Sequence, residues 1–253
     1  MTDPNKVRIA YFSMEIAANA EFPTYAGGLG ILAGDTLRSA ADLSVPIVAV
    51  TLLHRKGYFR QRLDPQGRQS EDTQEWEPQR VLEPVEPLVS VELAGRTVKV
   101  RAWRHEITGV TGGRVRVYFL DTKLPENSTW ERTLTDCLYG GDPTYRLCQE
   151  AVLGIAGIRL LRALGHGDIE RFHMNEGHSA LLTVTLLQER FGSGNLREAA
   201  SADLDAVAAN ACSPHIPPCP RPSISFRSTW RPASSAPKSL PSSEEPSAAL
   251  QKS

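Results

Sequence analysis

Apolar positions along the chain change period several times, and each change marks an element. Val7–Ser13 (VRIAYFS) is rich in β-branched and aromatic residues and reads as a short strand. Gly30–Leu43 (GILAGDTLRSAADL) spaces Ile31, Leu32, Leu37, Ala40 and Ala41 near one face of a helix. Pro46–Leu53 (PIVAVTLL) is continuously apolar, as expected of a strand covered on both faces in a parallel sheet. Strand, glycine turn, helix and strand make a βαβ unit. From Leu88 to Asp121 the period becomes two. VSVEL and RTVKVRAW flank Ala94–Gly95, a hairpin signal, and GRVRVYFLDT follows, which predicts an antiparallel insertion or edge. Tyr145–Leu164 returns to helical spacing across Gly154 and Gly157, and Gly165–Gly167 ends it. Asp168–His173 then reads as a strand and Ser179–Phe191 (SALLTVTLLQERF) as an amphipathic helix. The order is α/β, without an internal repeat.

The pattern stops near position 210. Residues 211–253 hold 11 Ser and 9 Pro among 43 positions, half of the 18 prolines of the chain. Proline removes donors and fixes φ, so this stretch is expected to be disordered, leaving residues 1–210 as the folded domain. Across all 253 residues the formal net charge is −1, without the basic excess that nucleic-acid binding calls for. No apolar run approaches the roughly 20 residues of a membrane helix, and the N-terminus lacks the pattern of a signal peptide. Cys137, Cys148, Cys212 and Cys219 show no CxxC spacing, which suits reduced thiols in the cytoplasm rather than disulfides or zinc.

Two motifs could carry chemistry. Ala26-Gly27-Gly28-Leu29-Gly30 opens onto the first helix, where glycines let backbone N–H groups approach an anionic oxygen. It formally fits a dinucleotide fingerprint, but it lies about fourteen residues beyond the first strand rather than immediately after it. The next strand also ends in Leu53-His54-Arg55, with no acidic residue for a ribose. A plain tight turn into a helix explains the same glycines. His173-Met174-Asn175-Glu176-Gly177-His178 falls between a strand and a helix, where α/β sheets bind ligands. Its histidines are five apart, a poor zinc spacing, and the polar cluster suits a hydroxyl-rich substrate. The alternative is structural, with Asn175 turning the chain and His178 capping the helix. Gly57-Tyr58-Phe59-Arg60-Gln61 and Leu138-Tyr139-Gly140-Gly141-Asp142 are weak signals alone.

Together these segments resemble the α-glucan (glycogen/maltodextrin) phosphorylases. The resemblance is carried by YFSMEIA (Tyr11–Ala17), YAGGLGILAGDTLRSAADLSVP (Tyr25–Pro46), KGYFRQRLD (Lys56–Asp64), LDTKLPENS (Leu120–Ser128), LYGGDPTYRLCQEAVLGIAG (Leu138–Gly157) and HMNEGHSAL (His173–Leu181). It implies a partial N-terminal Rossmann-like lobe of a GT-B glycosyltransferase. The implied reaction is phosphorolysis of a terminal α-1,4 bond of a glucan by inorganic phosphate, releasing glucose 1-phosphate. The implied cofactor is pyridoxal 5'-phosphate. By the same resemblance Gly27, Gly28 and Leu29 would offer N–H groups to sugar and phosphates, and Asn175, Glu176 and His178 would line the channel. Asp142 would lie in a loop that gates it, and Cys148 stands where the family has lysine. A glycogen synthase is the poorer match, since Thr24-Tyr25-Ala26 precede Gly27 in place of that enzyme's lysine-containing start.

The lobe that brings the family's cofactor-bearing lysine and its basic phosphate ligands is not in this sequence. The chain is therefore expected to be inactive alone, and a stand-alone glucan-binding module is the alternative. Family members are often homo-oligomers; the sequence does not fix the state here. Beyond Asn210 the family shows a strand and a histidine-bearing loop, whereas this chain reads ACSPHIPPCPRP. Stepping the frame back by one base, with GC-rich synonymous codons, turns Ala211–Ala236 into a segment starting CVFTPHTPVPA. That matches the family, so a frameshift, genuine or from sequencing, is the expected origin of the tail. On that reading Cys212, His215 and Cys219 carry no chemistry. The strand after Asn210 would be missing, leaving an exposed sheet edge.

Overall fold

A computed structural model describes residues 6–74, 76–192, 196 and 199–213, all within a unit that ends at His215. The Pro/Ser-rich stretch from Pro214 onward, with His215 and Cys219, lies outside the described residues.

The elements run β1 (Ile9–Ser13), α1 (Gly28–Asp42), β2 (Ile47–Leu52), β3 (Phe59–Leu63), β4 (Gln69–Thr73), β5 (Glu83–Leu93), β6 (Arg96–Thr108) and β7 (Arg114–Asp121). There follow α2 (Pro143–Ala151), a π-helical turn Val152–Ala156, α3 (Gly157–Ala163), β8 (Arg171–Asn175), α4 (Leu182–Phe191), α5 (Ser201–Asn210) and β9 (Ala211–Cys212). Seven strands form one mixed sheet in the order β5-β6-β7-β2-β1-β8-β9. β7, β2, β1, β8 and β9 are mutually parallel, and β5–β6–β7 is an antiparallel meander on one side. The meander is thus an edge of the main sheet rather than a separate insertion. Its outermost strand carries Pro84 and Pro87, which an edge position tolerates. The separate β3–β4 hairpin went unassigned in the sequence because its side chains do not alternate; they are nearly all exposed.

Helices cover both faces. α1 packs on the side of Tyr11, Ala49, Val117 and Phe119; the α2–α3 run and α4 pack on the side of Phe12, Val50, Leu120 and Val100. The buried stripe of α1 is Gly30, Ala33, Gly34, Leu37, Ala40 and Ala41, a regular helical spacing of small residues that brings the helix close to the sheet. Ile31 and Leu32, expected on that stripe, are 43% and 54% exposed instead. Gly154, within the stretch of helical spacing, is required by packing. A Cβ there would lie 2.6 Å from the backbone nitrogen of Leu182.

Two boundaries differ from the sequence reading. β8 begins at Arg171, not Asp168, because the approach to it is held by the Lys6–Asp168 and Arg8–Glu170 ion pairs. His173, Met174 and Asn175 therefore belong to the strand, and the bend starts at Glu176. The strand expected to be missing after Asn210 is present in short form: Ala211 and Cys212 extend the ladder beside Phe172 and His173. Two residues are enough to pair because α5 delivers the chain directly to the edge of β8. Among the described residues no helix is long and apolar enough to cross a membrane.

Candidate functional site

From β1 the chain crosses through α1 to β2 on one side, and it later returns to β8 on the other. The strand order therefore reverses at β1. In an open α/β sheet the crevice beyond the carboxyl ends of such strands is where ligands bind. The two motifs singled out in the sequence meet there. Asn175, at the end of β8 and 2% exposed, directs Nδ2 to Ser13 Oγ at 3.1 Å and to the carbonyl of Leu29 at 3.3 Å. Ser13 Oγ in turn donates to the carbonyl of Glu15 at 2.6 Å. The glycine turn and the Asn-Glu-Gly-His bend are thus stitched together through the end of β1.

The glycines of the turn divide into two kinds. Gly30 is required by packing, since a Cβ would lie 2.9 Å from Glu15 Oε2 and closer still to Tyr25 Cβ. Gly27 and Gly28 are not. A Cβ on either would meet nothing within 4 Å, and neither has the positive φ that favours glycine. Nothing in the described fold calls for glycine there, and the space that side chains would fill is open. Gly28 and Leu29 lie in the first turn of α1, where N–H groups have no intrahelical acceptor. Among the described residues the N–H groups of Gly28 and Leu29 donate to no other segment. The N-cap supplies no side-chain acceptor and the first turn carries no acid, so the positive end of the helix dipole is uncompensated by its own helix. The N–H of Gly27, expected to be offered to a ligand, instead faces Glu15 Oε2 at 3.3 Å.

Glu15 is the residue that sequence reasoning missed. It lies inside the YFSMEIA block, yet a single acid after a strand gives no local signal of where its carboxylate will turn. It is 2% exposed and also accepts from Ala26 N at 2.6 Å and from the Tyr139 hydroxyl at 2.9 Å. Tyr139 sits at φ 54° with its ring 5.5 Å from that of His178 and under the guanidinium of Arg146 at 5.8 Å. Burial first, and then the charge of Glu15, push its phenol well above the usual range. The Tyr139 segment is fixed from below by buried Gln149, whose Nε2 donates to the carbonyls of Leu134 and Cys137, each at 2.9 Å.

On the other side Glu176 takes φ 69°, a strained value for a non-glycine residue, and its side chain is exposed. His178 Nδ1 stands 3.2 Å from Glu176 Oε2 without the alignment of a hydrogen bond. Asp142 lies three residues beyond Tyr139, and its carboxylate is engaged: Oδ1 caps α2 by accepting from Tyr145 N at 2.8 Å. Gly27, Gly28, Leu29, Glu176 and His178 are therefore gathered on one face, with Asn175 buried beneath it and tying its two halves together. Asp142 is beside it, with its side chain committed to a helix. Cavities of about 490 and 280 Å³ lie elsewhere, one at the amino ends of the parallel strands (Val7, Pro46, Arg114) and one between β8 and α5 (Phe172, Val207). The stacked pair Tyr11 and His173, centroids 4.7 Å apart, comes from β1 and β8 behind the bend; burial raises the tyrosine to about 12 and lowers the histidine.

No family model matches the chain. Curated relatives do. Maltodextrin phosphorylase of Thermococcus litoralis is 41% identical over 181 residues, and glycogen phosphorylase of Mycobacterium tuberculosis is 43% identical over 197. The chain is related to the α-glucan phosphorylases. These matches take in 68% and 72% of this chain but 21% and 22% of the relatives, so the chain spans about a fifth of their length. Glycogen phosphorylase of Aquifex aeolicus follows at 34% identity over 187 residues, 71% of this chain and 26% of that protein.

Proposed function

We propose that this chain supplies one Rossmann-like lobe of a GT-B α-glucan phosphorylase, which transfers the terminal glucosyl unit of an α-1,4-glucan to inorganic phosphate. In that reaction the glycosidic carbon–oxygen bond breaks and a phosphate oxygen bonds to the glucosyl carbon. The glucan, one unit shorter, takes up a proton. The face at the ends of β1 and β8 is this lobe's contact with sugar and phosphate. The N–H groups of Gly28 and Leu29 face developing negative charge, as preorganised donors at a helix start do. Glu176 and His178 meet the hydroxyls of the glucosyl unit, buried Asn175 holds the glycine turn against the bend that carries them, and the Tyr139–Asp142 segment borders the approach.

The observation that carries this reading is the open space at Gly27 and Gly28, directly over uncommitted first-turn donors and beside Asn175. Pyridoxal phosphate would supply proton transfer through its own phosphate group. The residues gathered here do not fit it: no lysine is among them. On this reading cofactor attachment is not a task of this face, and phosphorolysis by this chain alone is not expected.

Isothermal titration of the chain with maltoheptaose, with and without inorganic phosphate, tests the reading. Saturable binding that Gly28→Ala weakens is the expected result. A cooperatively folded chain that takes up neither ligand would overturn it.

A further inference from the structure

We propose that Glu15 is a positioning residue that locks the glycine turn and the Tyr139–Asp142 segment into one arrangement, so that neither shifts without the other. The inference takes its functional meaning from the reading of this face as the sugar and phosphate site, although its geometry stands apart from that reading. A carboxylate withdrawn from water needs hydrogen-bond donors on its oxygens. Glu15 has them from two directions: Oε2 takes Ala26 N and Gly27 N from the turn, and Oε1 takes the hydroxyl of Tyr139. The two oxygens belong to one rigid planar group. Rotation that follows a moving Tyr139 therefore swings Oε2 away from the turn, and the reverse holds as well.

The surroundings leave the carboxylate little freedom to absorb such a motion elsewhere. Gly30 gives it the room it occupies, with space for no Cβ. Tyr139 is flanked by Arg146 and His178, and its strained backbone is held from beneath by Gln149. Ligand bound at the first turn of α1 would consequently be felt at Tyr139, more than a hundred residues away in sequence. Movement of the bordering segment would in turn change the aim of the turn's donors. Glu15 itself touches no reacting atom in this scheme and transfers no proton.

Amide hydrogen exchange followed by NMR on the full chain tests the coupling. Tyr139→Phe removes one hydroxyl next to Glu15 and none next to the turn. It should nevertheless speed exchange at Ala26 and Gly27 by about tenfold, the equivalent of one hydrogen bond to a charged group. Glu15→Gln can keep both contacts, its amide oxygen facing the N–H groups and its amide nitrogen donating to the phenol oxygen, and should exchange at the wild-type rate. Glu15→Ala should loosen both segments; if it fails to fold, the other two variants decide. Unchanged exchange at Ala26 and Gly27 in a Tyr139→Phe chain that melts like wild type would overturn the inference. Titration with maltoheptaose separates the two ideas. Coupled exchange without glucan binding supports the lock and removes the site reading, whereas binding with uncoupled exchange removes the lock.

Discussion

Replacing Gly28 and Gly34 of α1 by alanine, one at a time, should move stability in opposite directions. At Gly28 the new methyl group meets no atom within 4 Å. Alanine is favoured over glycine in a helix by up to about 1 kcal/mol, and by less at the first position. Gly28→Ala should therefore match or exceed wild type by about 0.5 kcal/mol, raising the midpoint of thermal unfolding by about 1–2 °C. At Gly34 a Cβ would stand 3.0 Å from both the carbonyl carbon of Ala17 and Nη2 of Arg38, and inside contact distance of the Ala17 oxygen. That carbonyl belongs to backbone already tied to α1 through the Ala17 N to Gly30 O bond at 2.9 Å, so it cannot easily retreat. Against backbone that cannot retreat, overpacking falls in the upper part of its usual range, about 2–3 kcal/mol; the helix gain offsets up to about 1, leaving a net loss of about 1–2 kcal/mol and about 2–8 °C. Ligand binding should rank the two the other way. On the proposed reading of this face the Gly28 methyl would occupy space a ligand needs, so affinity for maltoheptaose or phosphate should fall by about tenfold or more, a difference of ~1.4 kcal/mol. Differential scanning calorimetry and isothermal titration on both variants give the answer. Should Gly28→Ala melt as low as Gly34→Ala, or bind as wild type does, the division of these glycines into open and packed would be wrong.

Three other outcomes follow from the structure. Asp142→Ala removes the N-cap of α2 and should cost about 1 kcal/mol in urea denaturation, with no change in the melt if the cap is immaterial. Burial of His54 lowers its pKa from 6.5 to about 4. Because the folded value is depressed, the unfolded chain protonates first. Stability is complete above about pH 6.5 and declines toward pH 4 by up to about 3 kcal/mol, a slope that His54→Asn should flatten. At Asp121, burial alone would raise the carboxyl, but Arg55 and the Trp103 indole hold it down at about 2. Its contribution is therefore present above its ordinary value of 3.8 and lost as pH falls toward 2. Asp121→Asn strands Arg55 and Arg101 and should cost about 3 kcal/mol or more at neutral pH; a near-neutral result in urea would count against the network.

The sequence made the βαβ start, the meander and the late helices legible because each buries a periodic set of apolar residues. It misjudged α1 in detail: Ile31 and Leu32 look like core residues, but the stripe that packs is built on glycine and alanine, whose small size signals proximity rather than hydrophobicity. The β3–β4 hairpin has no buried face to write a pattern, so its residues carried no period to read. Of the candidate site, both motifs were visible because glycine runs and polar clusters at strand ends stand out locally. Glu15 was not, since its partners Ala26, Gly27 and Tyr139 are brought to it by tertiary structure alone.

The five residues Ser13–Ala17 hold a different neighbour each: Asn175 by Ser13, His54 by the Met14 carbonyl, the turn and Tyr139 by Glu15, Thr24 by Ile16, Gly30 and Arg38 by Ala17. One short stretch after β1 thus works like the hub of a wheel, with spokes running to segments drawn from across the chain. Inserting or deleting a single residue in it would break every spoke at once, while the same change in any one outlying loop would cost a single contact. Attempts to reshape this face should therefore begin at its rim and leave the hub alone.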